Sequence, residues 1–179
     1  SSYSRRILQT MLGIKVLENV FMLPCGLADS AGAELLHTPI KNRGSLGYGL
    51  AFVGDTAGTR RRLLSTPVRL STVDLIVDAL GIERLDFLKA DIEGTELAML
   101  RGARKTLQRF APTLYLEVDD DSLMRNGDSG ADLMAYLAGL GYTEVLEVQE
   151  TTGEHRSASF PDEMRVHGNF LFPSPARGD

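Results

Sequence analysis

Residues 85–118 limit the possible folds of this chain more than any other stretch. Leu85-Asp86-Phe87-Leu88-Lys89-Ala90 is an apolar, strand-like run, and Asp91-Ile92-Glu93-Gly94 reads as a turn. From Thr95 to Phe110, Leu97, Leu100, Ala103, Leu107 and Phe110 recur on one face at helical spacing, and Pro112 follows. Thr113-Leu114-Tyr115-Leu116-Glu117-Val118 is a second apolar run. Two strands joined through an amphipathic helix form a parallel pair with a right-handed crossover. Strands without clean alternation suit a sheet covered on both faces. The stretch therefore predicts an α/β fold.

The flanking segments extend the same rhythm. Tyr3, Ile7, Leu8, Met11 and Leu12 predict a helix that Gly13 ends. Val20-Phe21-Met22-Leu23, stopped by Pro24, predicts a buried strand, and Ala33 to His37 a weaker one. Ile40 to Gly58 holds Gly44, Gly47, Gly49, Gly54 and Gly58 and predicts a loop, with a short strand at Leu50 to Val53. Val68 to Leu70 is strand-like. Ser71-Thr72-Val73-Asp74 then resembles a helix start, a hydroxyl cap with an acid three residues on, for a helix running to Leu80 and stopped by Gly81. Ala131 to Leu140 predicts a helix closed by Gly141, Tyr142 to Val148 a strand, and Asn169 to Phe172 the last strand. Without repeats or low-complexity linkers, residues 1–179 read as a single domain.

Composition narrows the function classes. A chain of 179 residues with 43% hydrophobic and 24% charged residues can build one core. Net charge is −5 and the longest basic run is Arg60-Arg61-Arg62, so a solvated loop is expected there and no nucleic-acid partner. The single cysteine, Cys25, excludes an internal disulfide, fits a reducing, cytoplasmic setting, and lies in an apolar run where a thiol is inert. No run of about eighteen apolar residues exists, so no membrane span is expected. His37, His155 and His167 offer no pair at metal-ligand spacing, and no metal site is expected.

In open α/β sheets, ligands bind beyond the carboxyl ends of the strands. Asp91 ends one predicted strand, Glu93 follows two residues on, and Glu117 lies near the end of the next. Lys89 and Asp91, two apart, share a strand face. Such a group can hold a cationic ligand or take up a substrate proton. The plainer reading stays open beside it. Glu93 and Glu96 complement a helix dipole, Gly94 permits a tight turn, and Lys89 pairs with a structural acid.

The stretch from Leu85 to Ala103 resembles the signature of FkbM-like methyltransferases, an apolar strand ending in Lys-x-Asp-x-Glu-Gly-x-Glu followed by a helix with Leu-x-Gly-Ala. Here those letters are Lys89, Asp91, Glu93, Gly94, Glu96, Leu100, Gly102 and Ala103. Val73-Asp74 resembles the family's segment before its fourth strand. Leu27-Ala28-Asp29-Ser30-Ala31-Gly32 resembles the segment after its third, so the match runs in order from about Leu8 to Phe172. The resemblance implies a Rossmann-like methyltransferase sheet, mostly parallel with an antiparallel edge strand, in the order 3-2-1-4-5-7-6. It implies S-adenosylmethionine as cofactor, with Leu27 and Ala28 against the adenine and Asp91 bordering the methionine end. Glu93 and Glu117 would then face the acceptor, a hydroxyl of a sugar or other small secondary metabolite, with Lys89 beside them.

The family's opening turn, Asp-x-Gly-x-Asn-x-Gly, and its second strand ending in Glu-Pro are not found in the sequence. The close glycine pairs Gly47-x-Gly49 and Gly139-x-Gly141 do not open a helix after a strand. The expectation is an N-terminally truncated methyltransferase domain lacking the first two strands, with residues 1–12 as the helix that follows the second. Exposed strand edges beside such a gap invite self-association, so a homo-oligomer is one expected partner class. The competing reading is a non-catalytic remnant or assembly module with the same fold. A magnesium-dependent variant with Asp91 and Glu117 as ligands lacks a clearly placed third oxygen ligand.

Overall fold

The computed structural model describes Thr10 and residues 19–40, 46–47, 51–53, 56, 62–149, 151–158 and 166–175. Thr10 is helical; the rest of the helix expected over residues 3–12 lies outside the described residues, as do Gly44, Gly49, Gly54, Gly58, Arg60 and Arg61. The first strands form a sheet of three. β1 (Gly26–Leu27) runs parallel to β3 (Leu63–Ser71), and β2 (Gly32–Pro39) runs antiparallel to β3, giving the order β1-β3-β2. The strand expected at Val20 to Leu23 does not form. The segment has no regular structure and pairs with no strand among the described residues, and Phe21 is 85% exposed. Pro24, which lacks an N–H, separates it from the short β1. Of the strand expected at Leu50 to Val53, Leu50 lies outside the described residues and the rest makes one bridge, in which His37 and Phe52 exchange backbone hydrogen bonds of 2.8 and 3.0 Å.

Helix α1 (Val73–Leu80) follows β3. Thr72, not Ser71, is its cap: Oγ1 accepts from the Leu75 N–H at 3.0 Å. Gly81 ends it at φ 62°, in the left-handed region where glycine costs least. Asp74 does not complete the expected capping box and instead caps a different helix.

β4 (Phe87–Ala90) pairs in parallel with β5 (Thr113–Asp119), with Phe87 opposite Thr113 and Ala90 opposite Leu116. The single helix expected between them is two: α2 (Glu96–Arg101) and α3 (Arg104–Phe110), broken at Gly102-Ala103. Two long-range contacts set the break. The Gly102 carbonyl accepts from the Asp74 N–H at 3.0 Å, and a side chain at Gly102 would collide with the Ala28 carbonyl oxygen. Ala103 offers α3 no cap. The Asp74 carboxylate takes that role, accepting from Lys105 N at 3.1 Å, Thr106 N at 2.8 Å and Thr106 Oγ1 at 2.6 Å. These are the orphan donors that an N-cap side chain serves. Asp74→Ala should therefore destabilise the fold by about 2 kcal/mol, combining a lost cap with lost charged hydrogen bonds. Thermal unfolding should show a drop of roughly 4–8 °C at this chain length. An unchanged midpoint would mean that solvent satisfies those donors equally well.

After β5 come the short helix α4 (Asp120–Leu123), a 3₁₀ turn (Met124–Asn126) and α5 (Gly130–Ala138). β6 (Leu146–Val148), β7 (His155–Ser157) and β8 (His167–Phe172) complete a five-stranded sheet ordered β4-β5-β8-β6-β7. β8 is antiparallel to both β5 and β6, so it is interior, and the antiparallel strand at the edge is β7. The described residues thus form two sheets rather than one continuous Rossmann-like sheet.

The core lies on one face of the larger sheet. Leu114, Leu116, Val118, Phe170 and Phe172 pack there with Leu97, Met99, Leu100, Leu107, Leu133 and Leu137 from the helices. Val73 and Val77 of α1 join the same core. The opposite face is not covered as expected: burial alternates along β5, and Phe87 is 52% exposed.

Candidate functional site

The parallel pairing of β4 and β5 brings Asp91 and Glu117 together at the carboxyl end of the sheet, because Ala90 stands opposite Leu116. The two carboxyls share a hydrogen bond. The pair holds on to one proton up to near neutrality. The bond to Asp91, then burial, then the charges of Asp91, Glu93 and Glu96 push the Glu117 pKa up to about 7. Asp91 moves the other way, held below the usual carboxylate range by the Glu117 hydrogen bond and by Lys89. Lys89 Nζ lies 3.2 Å from Asp91 Oδ2 and 6.0 Å from the centre of the Tyr115 ring. The pair therefore titrates as a unit whose upper step falls near neutrality.

Glu93 adopts φ 60°, a left-handed conformation that costs a residue with a side chain about 1–2 kcal/mol. Burial and the neighbouring Asp91 charge raise its pKa, against the opposing charge of Arg125. The turn is fastened on every side. The buried Glu96 carboxylate accepts from Ile92 N at 2.9 Å and Gly94 N at 3.0 Å. Arg125 Nη2 donates to the Glu93 carbonyl at 3.1 Å, and Asn126 Nδ2 to the Gly94 carbonyl at 2.9 Å. Gly94 sits at φ 99°, and a Cβ there would run into the Ser122 carbonyl. Sequence reasoning missed these fasteners. Glu96 reads as a charge complementing a helix dipole, although its place in the Lys-x-Asp-x-Glu-Gly-x-Glu run was a usable signal. Nothing in the sequence marks Arg125 or Asn126.

Beside the turn lies a cleft of about 650 Å³. Leu27, Ala28, Leu36, Phe52 and Leu70 line it, together with Asp91 and Glu93. Leu27 and Ala28 reach it because the Ala28 N–H bonds the Ser71 carbonyl at 3.0 Å and the Ala28 carbonyl rests on Gly102. Lys89 and Glu117 are not lining residues; they flank Asp91 from the sheet side. Asp119, two residues beyond Glu117, extends the acidic row. Burial opposes its charge, but the Ser122 hydroxyl and His167 hold its pKa down.

No helix among the described residues is long and apolar enough to cross a membrane. No curated protein matches the chain. In fold it is similar to the crystal structure of methyltransferase FkbM from Methylobacillus flagellatus KT, with a TM-score of 0.56 at 17% identity. The similarity covers 96% of this chain and 34% of that one, so the chain spans about a third of that protein's length. The model of the methyltransferase FkbM domain matches residues 9–144. That span contains the Asp91–Glu117 pair, the fastened turn and every residue lining the cleft, and the chain belongs to the FkbM methyltransferase domain family.

Proposed function

We propose that the cleft serves S-adenosylmethionine-dependent methyl transfer to a hydroxyl of a sugar or other small metabolite. The observation that carries this reading is the carboxyl pair Asp91–Glu117, with its upper ionisation near 7, at the edge of an apolar cleft. The lining residues suit the cofactor. Leu27, Leu36, Phe52 and Leu70 offer an apolar wall for an adenine, and Asp91 and Glu93 offer negative charge to a sulfonium and an ammonium group. When bound, the cofactor supplies an electrophilic methyl group.

Asp91 stands between the cleft and Glu117. On this reading Asp91 borders the cofactor's methionine end, and the acceptor approaches from the side of Glu117 and Glu93. Asp91 orients the acceptor hydroxyl. The ionised pair takes up its proton, and the proton resides on Glu117, whose raised pKa makes it the stronger base. Lys89 limits the charge that builds on Asp91. The acceptor class and the oxygen specificity rest on the family resemblance.

The test is Asp91→Ala in the full-length protein, assayed with methyl-labelled cofactor against a panel of hydroxylated sugars. Asp91 is exposed, so the fold should persist while methyl transfer drops by about 10²-fold or more. Wild-type turnover in the variant would show that this acid is only structural.

A further inference from the structure

We propose that Arg125 is a positioning residue of this site, a strut that ties the Glu93 turn to Phe52, a second lining residue of the cleft. The inference rests on the methyl-transfer reading for its consequences but not for its geometry. Arg125 belongs to the 3₁₀ turn after α4, next to the lining residue Asn126 and remote in sequence from Phe52 and Glu93. Its Nη2 donates to the Glu93 carbonyl at 3.1 Å. Its guanidinium carbon lies 5.1 Å from the centre of the Phe52 ring, a cation–π distance. Phe52 is buried and lines the cleft, and its backbone is bonded to His37 of β2. One guanidinium thus bridges two residues that line the cleft.

The contact is well chosen for the task. Glu93 is held in a left-handed conformation that its side chain disfavours, and such strain persists only where neighbours enforce it. Asn126, the next residue, fixes the Gly94 carbonyl, so the 3₁₀ turn grips two successive peptide units. A planar guanidinium can stack on a ring while donating in its own plane; an ammonium cannot do both with the same geometry. Arg125 Nε is buried and has no hydrogen-bond partner among the described residues, a cost offset by the work of the rest of the group. The titratable and charged groups facing the Glu93 carboxylate are Arg125, Asp91, Asp119, Glu96 and Glu117, and Arg125 is the only cation of the five.

The test compares Arg125→Met and Arg125→Lys in the full-length protein by two readouts. The first is the Glu93 carboxyl titration, followed by carbon-13 NMR without cofactor. In Arg125→Met the Glu93 midpoint should rise, and in Arg125→Lys it should stay near wild type. The second is methyl transfer, where kcat should fall at least tenfold in Arg125→Met with the cofactor KM changed less than threefold. Arg125→Lys keeps the charge but ends one atom short of Nη2, is the milder change should Arg125→Met fail to fold, and should still lose at least threefold in kcat. A Glu93 midpoint that does not move in Arg125→Met, or wild-type kcat in both variants, would overturn the proposal. If wild-type protein methylates nothing on the panel, the titration still decides whether Arg125 governs Glu93, so that failure belongs to the methyl-transfer reading alone.

Discussion

Glu117→Gln should lower the rate of methyl transfer by about 10²- to 10⁴-fold while leaving cofactor affinity within a few-fold of wild type, the range expected when a general base is removed from an otherwise intact site. Glu117 is outside the cleft lining, so the cofactor has little direct contact to lose. Gln can still donate a hydrogen bond to Asp91, which preserves the geometry of the pair. It cannot accept and hold a proton. A matching loss in kcat and kcat/KM would place the missing interaction in the transition state. A rise in KM with unchanged kcat would instead make Glu117 a binding residue.

S-adenosylmethionine should bind the isolated 179-residue chain about 10²- to 10⁴-fold more weakly than it binds a family member that carries the Asp-x-Gly-x-Asn-x-Gly turn and the acid of the second strand. The glycine turn lets backbone approach the cofactor, and the acid holds the ribose hydroxyls, much as in dinucleotide sites. Neither pattern occurs in these residues. Hydrogen bonds to a charged group contribute about 1.5–3 kcal/mol each, and two such losses correspond to roughly that range of affinity. What the chain does offer is the apolar wall at Leu27 and Ala28 and the charge of Asp91 and Glu93. Titration calorimetry gives the answer. Micromolar one-to-one binding would mean that another segment, such as the glycine-rich stretch from Gly44 to Gly58, supplies the missing contacts.

The parts of the fold readable from sequence are those written in local chemistry. Thr72 and Gly81 bound α1 because a cap and a left-handed terminator act within one helical turn. β4 and β5 are readable because apolar runs flank a turn and an amphipathic stretch, and their parallel pairing then places Asp91 beside Glu117. What was illegible depends on distant partners. The break at Gly102-Ala103 is set by Asp74 and by the backbone of Ala28, both far away in the chain. Asp120 is buried because its two oxygens accept from Gly130 N and Val166 N, both at 2.6 Å, a role no local pattern announces. The apolar run at Val20 to Leu23 has strand composition but no adjacent strand among the described residues, and composition alone cannot supply a hydrogen-bonding edge. The candidate site shows the same division. Asp91, Glu93 and Glu117 follow from strand ends, whereas Arg125 and Asn126 reach the turn only through tertiary structure.

The pH dependence of kcat/KM, measured side by side for wild type and Glu117→Gln, tests the role of the carboxyl pair most directly, because kcat/KM reports ionisations of the free enzyme. The active pair is the deprotonated one, and its upper pKa is raised to about 7. Below that value the pair already holds a proton and cannot accept another. Wild-type kcat/KM should therefore climb about tenfold per pH unit towards 7 and level off above it. Glu117→Gln should be slow and flat across that window, since the group that titrates there is gone. A wild-type profile that is flat from pH 5 to 8, or an inflection near 7 that survives in Glu117→Gln, would contradict the assignment of the Asp91–Glu117 pair as the proton acceptor.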